Sequence, residues 1–356
     1  MKRNEKTIVL IGDQKMAETD VLQESKVKWF RRWYGLFIVA AFFLIAPSLL
    51  PLSIMADVMV YSIVVLGFDL LYGHTGFLSF GHSGFSGIGT YGTALFLQFA
   101  MFRQIPIPDT WLWLAIPAGI ITAAGAGWLG GFLTFRARAG VYGTFVTIAI
   151  QFSFWWAMLK WYWVTGGENG IVNLPWMVFK IPGLPTISLQ DMHAAYFFNL
   201  LIAVPTFCII YRILHSPFGL ILRSVRENDE RAAFLGYNVY RYRMYSFILS
   251  TLFCGVGGAL YVNYYRFTGL HMIDWLASGD LVIMAVLGGS GVFWGPIIGS
   301  FVFIMFKDYF AVYTWFWRLF VGGIAIVVML FFKGGVWALL EKISHTISTR
   351  FRRTTR

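Results

Sequence analysis

Apolar runs about as long as a bilayer is thick recur almost from end to end of this chain, and they restrict it to one class of fold. Residues 33–52, 56–72, 85–102, 111–135, 141–163, 194–211, 244–264 and 315–332 are such runs. A helix needs about 17–25 apolar residues to cross the hydrocarbon. No water is available there to satisfy a backbone, so helices and closed barrels are the viable spanning structures. Composition agrees: 58% of residues are hydrophobic and only 13% charged, against roughly 25% charged in a soluble domain. The expected fold is all-α, a polytopic membrane protein. A polar tail at 1–32 precedes a membrane domain at 33–335, and a basic tail at 336–356 follows it. Residues 1–32 read as a cytosolic tail rather than a signal peptide, because no cleavage site follows the first apolar run.

The stretch 280–309 is ambiguous, because Gly288, Gly289 and Gly291 and then Gly295-Pro296 interrupt it. Charge decides how often it crosses. The basic residues gather in 1–32, at Arg136 and Arg138, in 212–243 and after Phe332. Only Arg103, Lys160, Lys180, Arg266, Lys307 and Arg318 lie elsewhere. Cytoplasmic loops carry the excess of Lys and Arg. Splitting 280–309 at its glycines gives about ten transmembrane helices, both termini in the cytosol and every basic cluster on one side. This placement also accounts for the net charge of +11 without nucleic acid. With ten spans, the second to fifth start outside and the seventh to tenth start inside. That order allows an inverted repeat, with broken helices near 72–92 and 288–299.

Between the sixth and seventh runs lies a polar island, residues 212–243. Ser216-Pro217 is a helix opening, with Ser at the N-cap and Pro at the first helical position. Asn228 caps a second helix, and Asp229 and Glu230 in its first turn suit the positive end of the helix. Gly236 closes it. Leu220, Ile221, Leu222, Val225, Phe234 and Leu235 give these helices apolar sides. A loop so long and so structured reads as a docking surface rather than a connector.

Two other groups of residues carry candidate roles. Gly73, Gly76, Ser79, Gly81 and His82 form a glycine-rich break, and Gly288, Gly289 and Gly291 form a second. Small residues let membrane helices approach closely, and they also let a helix unwind beside a pathway. Both readings stay open here. Asp69, inside the second run, is either paired or faces water. Thr165-Gly166-Gly167-Glu168-Asn169-Gly170-Ile171 is a turn-rich loop or a contact for an external partner. His74 and His82 have no metal-ligand company, and Cys208 and Cys254 sit in apolar runs as buried thiols. There is no phosphate-binding G-x-x-x-x-G-K-[ST], and no catalytic constellation.

Taken in order, these motifs resemble the LivM-type permeases, the membrane subunits of branched-chain amino acid ATP-binding-cassette importers. The resemblance runs from Gly73–Gly92 through Thr165–Ile171, Arg226–Gly236 and Leu287–Gly299 to Phe332-Lys333-Gly334-Gly335, about residues 60 to 338. In that family the island is similar to the signature loop that docks on an ATPase. Glu230 and Gly236 keep its spacing, with Arg231 at the place of its first Ala. The resemblance implies a coupling role for Arg223, Arg226, Glu227, Asn228, Glu230, Ala232, Ala233 and Gly236. It implies alternating access and a location in the bacterial inner membrane. The implied partners are a homologous second permease subunit, two cytosolic ATPase subunits and an external substrate-binding protein. No cofactor is expected on this chain, because ATP and Mg belong to the ATPases; the chain itself is not an enzyme. Permeases for urea and short amides share the family. A channel or secondary carrier is the rival class, and it should show more intramembrane acids than Asp69.

Overall fold

The computed structural model describes residues 35–102, 109–136, 141–179, 187–332 and 334–342. The tail at 1–32, Arg138, Lys180, Lys333 and the tail beyond Lys342 lie outside the described residues. The chain divides into two units, Met1–Leu49 and Leu50–Arg356. The first contributes one short apolar helix, α1 (Gly35–Ser48).

The second unit is a helical bundle. Its elements are α2 (Leu52–Thr75), α3 (His82–Phe102), α4 (Ala115–Arg136), α5 (Val141–Lys160), the turn α6 (Tyr162–Thr165), α7 (Met192–Leu214), α8 (Pro217–Glu227), α9 (Asp229–Phe234), α10 (Val239–Tyr265), α11 (Trp275–Gly288), α12 (Trp294–Tyr313) and α13 (Trp317–Phe331). A last helix, α14 (Gly335–Lys342), follows at a 50° bend. The loop between α6 and α7 adds a two-residue antiparallel pair, Val178–Phe179 with Ile187–Ser188.

Among the described residues, six helices are long and apolar enough to cross a membrane: α2, α4 with the turn before it, α5, α7, α10 and α12. Counting α13 and α14 as one bent span makes seven. The expected ten is therefore not what helix length alone gives, and the shortfall has local causes. Pro51, with its extended backbone, separates α1 from α2, so the first apolar run yields a helix of Gly35–Ser48 only. α3 has 21 residues, but His, Ser, Gly and Thr fill its first half. α11 has 14 residues, about 20 Å at 1.5 Å per residue, short of the ~30 Å hydrocarbon. It starts at Trp275 rather than Asp280, because Asp274 caps it by accepting from Leu276 N–H at 3.5 Å.

Polar ties define two ends of the bundle. At one end the C-terminus of α2 meets α8 through Arg226 and Gly73. The break between α11 and α12 joins them there through Asp69 and Gly291. At the other end Tyr265 donates to Asp57 at 2.7 Å. There Ile171 bridges Thr268, and Arg266 donates to the Leu174 carbonyl at 2.6 Å while covering the Trp176 ring at 3.8 Å. α2 and α10 run between these ends and pack along each other.

α3 does not begin at an end. His82, its first residue, meets Ser250 Oγ at 2.7 Å, and Ser250 donates to the Gly67 carbonyl at 2.6 Å. Both partners lie well inside α10 and α2. Residues 76–81 therefore run from the α8 end into the bundle before α3 starts. Gly76, at φ +73°, makes the reversal, and such a left-handed backbone favours glycine. α11 likewise starts inside, with Ser278 against Ser83, and runs toward the α8 end. Around these elements α10 packs on α2, α3 and α4, while α2 packs on α10, α11 and α12. α3 lies against α4 and α5, and α11 against α12 and α13.

Candidate coupling surface and central junction

The polar island folds as two helices. Pro217 opens α8 with Ser216 at the N-cap position, but the Ser216 hydroxyl donates back to the Ile213 carbonyl at 2.6 Å and caps nothing. The expected Ser cap is thus a cap by position only. Asn228 Oδ1 accepts from Arg231 N–H at 2.8 Å and caps α9. Gly236 turns the chain away at φ +90°. Gly219, Leu222 and Val225 of α8 and Ala232 of α9 face inward and are buried. Asp229 and Arg243 pair at 2.5 Å and fix α9 to the start of α10.

Among the described residues, nothing covers the outer side of this pair of helices. Leu220 is 61% exposed, Phe234 90% and Leu235 69%. Arg223, Glu227, Asn228, Glu230, Ala233 and Gly236 are exposed beside them. A Cβ at Gly236 would meet nothing within 4 Å. Apolar side chains rimmed by charge at a helix turn are the features of an interaction patch.

Arg226 behaves differently from its neighbours. Its guanidinium Nη1 donates to the Gly73 carbonyl at the C-terminal end of α2. One turn earlier in α2, both carboxylate oxygens of the buried Asp69 accept from Gly291 N–H at 3.1 Å. His74 Nδ1 lies 3.8 Å from the same carboxylate. Gly291 holds φ +84°, and a Cβ there would stand 2.8 Å from Arg226 Nη1. The two glycine breaks and the first island helix therefore meet in one junction. Asp69 is paired, and it holds the α11–α12 break against α2.

The remaining members of the glycine set are closely packed. Gly288 backs onto the Gly295 carbonyl, and Gly289 onto the Gly334 carbonyl. A Cβ at Gly81 would lie 2.7 Å from the Thr147 carbonyl oxygen. The Ser250 hydroxyl is committed to Gly67, so His82 Nε2–H donates to Ser250 and Nδ1 accepts from Ser79 at 2.8 Å. Phe68, Phe85 and Phe247 stand edge-on around that ring. Gly81→Leu is accordingly expected to reduce the yield of folded chain, because overpacking costs about 1–3 kcal/mol. Size-exclusion profiles of the purified variant check this; a normal profile with slowed transport would instead favour a pathway edge. Residues Thr165–Ile171 form a compact turn, with Gly166, Gly167 and Gly170 all at positive φ and Thr165 Oγ1 donating to the Met158 and Trp161 carbonyls.

Sequence reasoning passed over a polar cluster at the centre. Ser83 Oγ and Ser278 Oγ are 2.7 Å apart, and Ser83 Oγ donates to the Asp274 carbonyl at 2.9 Å. Gln151 of α5 donates to Ser83 Oγ at 2.9 Å and to the Ile273 carbonyl, and it accepts from Gly84 N–H at 2.8 Å. An amide inside an apolar run was the available signal, since polar groups at membrane depth are costly unless they have a purpose. A cavity of about 450 Å³ adjoins this cluster, lined by Gln151, Phe152, Trp155, Trp156, His271 and Asp274 among others.

Comparison with known proteins agrees with this architecture. Residues 50–330 match the family model described as branched-chain amino acid transport system / permease component. The high-affinity branched-chain amino acid transport system permease protein LivM of Escherichia coli is 25% identical over 296 residues, 78% of this chain and 68% of that protein. LivH of Salmonella typhimurium, from the correspondingly named system, is 25% identical over 68% of this chain and 79% of its own. The nucleoside ABC transporter permease protein NupC of Lactococcus lactis is 30% identical over 40% of this chain and 43% of its own. No solved structure matches the chain. With the family model spanning the bundle from α2 to α13, the chain belongs to the branched-chain amino acid transport permease family of multi-pass membrane proteins.

Proposed function

We propose that this chain is one permease subunit of an ATP-binding-cassette importer for branched-chain or similar small amino acids. The observation that carries the reading is the uncovered patch of Leu220, Phe234, Leu235 and Gly236 on two short helices held at one end of the bundle. It suits the cleft of a cytosolic ATPase. ATP binding closes two ATPases, their movement pushes on α8 and α9, and the bundle passes from inward-open to outward-open. A homologous second permease supplies the other half of the route, and an external binding protein delivers substrate. The similarity to LivM and LivH favours amino acids, while the match to NupC makes nucleosides the second reading.

Ten crossings remain the proposed topology. α3 with its entry segment and α11 with residues 266–274 each count as one crossing, and α1 as the first. Most of the packing pairs among α2–α5 and α10 recur among α10–α13 and α2, and α2 and α3 run opposite to α10 and α11 between the ends defined above; this pattern supports an inverted repeat. A cysteine replacing Ser348, outside the described residues, should resist an impermeant thiol reagent applied to intact cells. Labelling there rejects a cytosolic C-terminus. The function itself is tested by ATP-dependent uptake of leucine and guanosine into vesicles holding the complete set of subunits. Uptake without ATP would make the chain a carrier or channel.

A further inference from the structure

The cavity beside the central polar cluster contains residues for which no role has yet been given. Its walls are Phe152, Trp155 and Trp156 of α5 and Trp275 at the start of α11, with His271, Asp274 and Gln151 between them. Its volume, about 450 Å³, falls in the range of small-ligand sites, about 300–1,000 Å³. It lies on the half of the bundle away from α8 and α9, because α5 and the 266–275 segment carry it there. It reaches inward to Gln151, which is buried to 1% and bonded to Ser83. The cavity therefore joins the far side of the bundle to the place where α3 and α11 begin. Its outer edge is open, since Trp156 and Trp275 are about half exposed, so a second permease subunit can supply the facing wall.

The chemistry of the lining is mixed in a definite way. Indole and phenyl faces take an apolar side chain, and they also attract a cation over the ring. Asp274 supplies a carboxylate. One turn beyond the lining residue Trp156, Lys160 holds its ammonium 5.7 Å from that ring's centroid and is exposed. One acid and three indoles line the space, with a base held over one of those indoles; together they suit a small molecule with both charges and an apolar body. We propose that this cavity binds a free amino acid, its ammonium toward Asp274, its carboxylate toward Lys160 and its side chain among Phe152, Trp155 and Trp156. The proposal rests on the permease reading and adds to it a place and a chemical class. A nucleoside has aromatic surface for the same indoles but no ammonium for Asp274.

Thiol protection tests this without relying on transport. Phe152→Cys is made in a Cys208→Ser background, where Cys254 remains fully buried. The variant, assembled with its partner subunits, is modified with a neutral methanethiosulfonate reagent. Leucine at about 20 mM, far above a Kd of about 1 mM for a weak site, should slow modification about 20-fold. Guanosine should not. Asp274→Asn should remove the protection, and Asp274→Glu should restore part of it; Asn retains an oxygen for the helix cap, so a merely structural role for Asp274 would leave protection intact. Protection by guanosine alone overturns the amino-acid assignment, and undiminished protection in Asp274→Asn overturns the role of that carboxylate. If leucine gives no protection while the unmodified complex imports leucine with ATP, the cavity is not the site and the permease reading stands. If the unmodified complex imports nothing, the permease reading itself fails.

Discussion

A Gly236→Trp variant is expected to abolish substrate uptake and uncouple ATP hydrolysis while the chain still inserts and pairs. Gly236 closes α9 at φ +90°, where a side-chain-bearing residue costs on the order of 1–3 kcal/mol. Among the described residues, none lies within 4 Å of the position its Cβ would take. An indole there points away from the bundle, into the patch already formed by Phe234 and Leu235. The fold of the bundle tolerates it, but a partner's fitted cleft does not, because overpacking costs a further ~1–3 kcal/mol. Gly236→Ala has the same backbone strain without the bulk and should keep most activity. Phe234→Ala should weaken retention of the ATPase subunits, since burying a phenylalanine contributes about 1.5–3 kcal/mol. Co-purification, uptake and ATP hydrolysis of reconstituted complexes read all three. Normal coupled uptake by the tryptophan variant would remove the main support for this patch as the docking surface.

Arg226→Ala is expected to destabilise the chain itself, beyond the coupling role that the resemblance implies for this residue. As a rim charge Arg226 would be worth about 0.2–1 kcal/mol. The structure turns its guanidinium onto the Gly73 carbonyl, beside the buried carboxylate of Asp69. Removing a charged hydrogen-bond donor costs about 1.5–3 kcal/mol, and the lower end applies because Arg226 as a residue is exposed. The denaturation midpoint of the variant in detergent should fall clearly below that of the parent. Asp69→Asn combined with Arg226→Ala should recover part of the loss, because residues of one hydrogen-bonded junction couple by about 0.5–3 kcal/mol. Strict additivity of the two changes would show that the residues do not communicate. Glu230→Ala, on the exposed side of α9, should leave the midpoint unchanged and so separates docking from stability.

Much of this was legible in the sequence for reasons that are local. A capping Asn, a proline at the first helical turn and a glycine with positive φ fix α8 and α9 whatever surrounds them. The ends of α2, α7, α10 and α13 fall near the ends of their apolar runs. Breaks appear at 76–81 and 289–293, while Gly73 stays in α2, His82 opens α3 and Gly288 ends α11. Their purpose was not legible: a glycine in a membrane run permits both unwinding and close packing, and only the neighbour across the gap distinguishes them. Thr147 beside Gly81 and Gly295 beside Gly288 are such neighbours, and they come from other parts of the chain.

The sequence by itself determined the class of fold, the positions of several apolar helices and the family, because hydrophobic length and helix punctuation are properties of a dozen or two consecutive residues. It also determined that 212–243 leaves the apolar phase. Only the tertiary structure decided that α3 and α11 start inside the bundle, that Arg226 turns inward while Phe234 and Leu235 do not, and that Gln151, Ser83, Ser278 and Asp274 meet beside a cavity. These are pairings between residues tens to hundreds of positions apart. In a chain where most helices are apolar on every side, periodicity does not say which face meets which helix; that choice is made by packing and by the few buried hydrogen bonds that must be satisfied away from water.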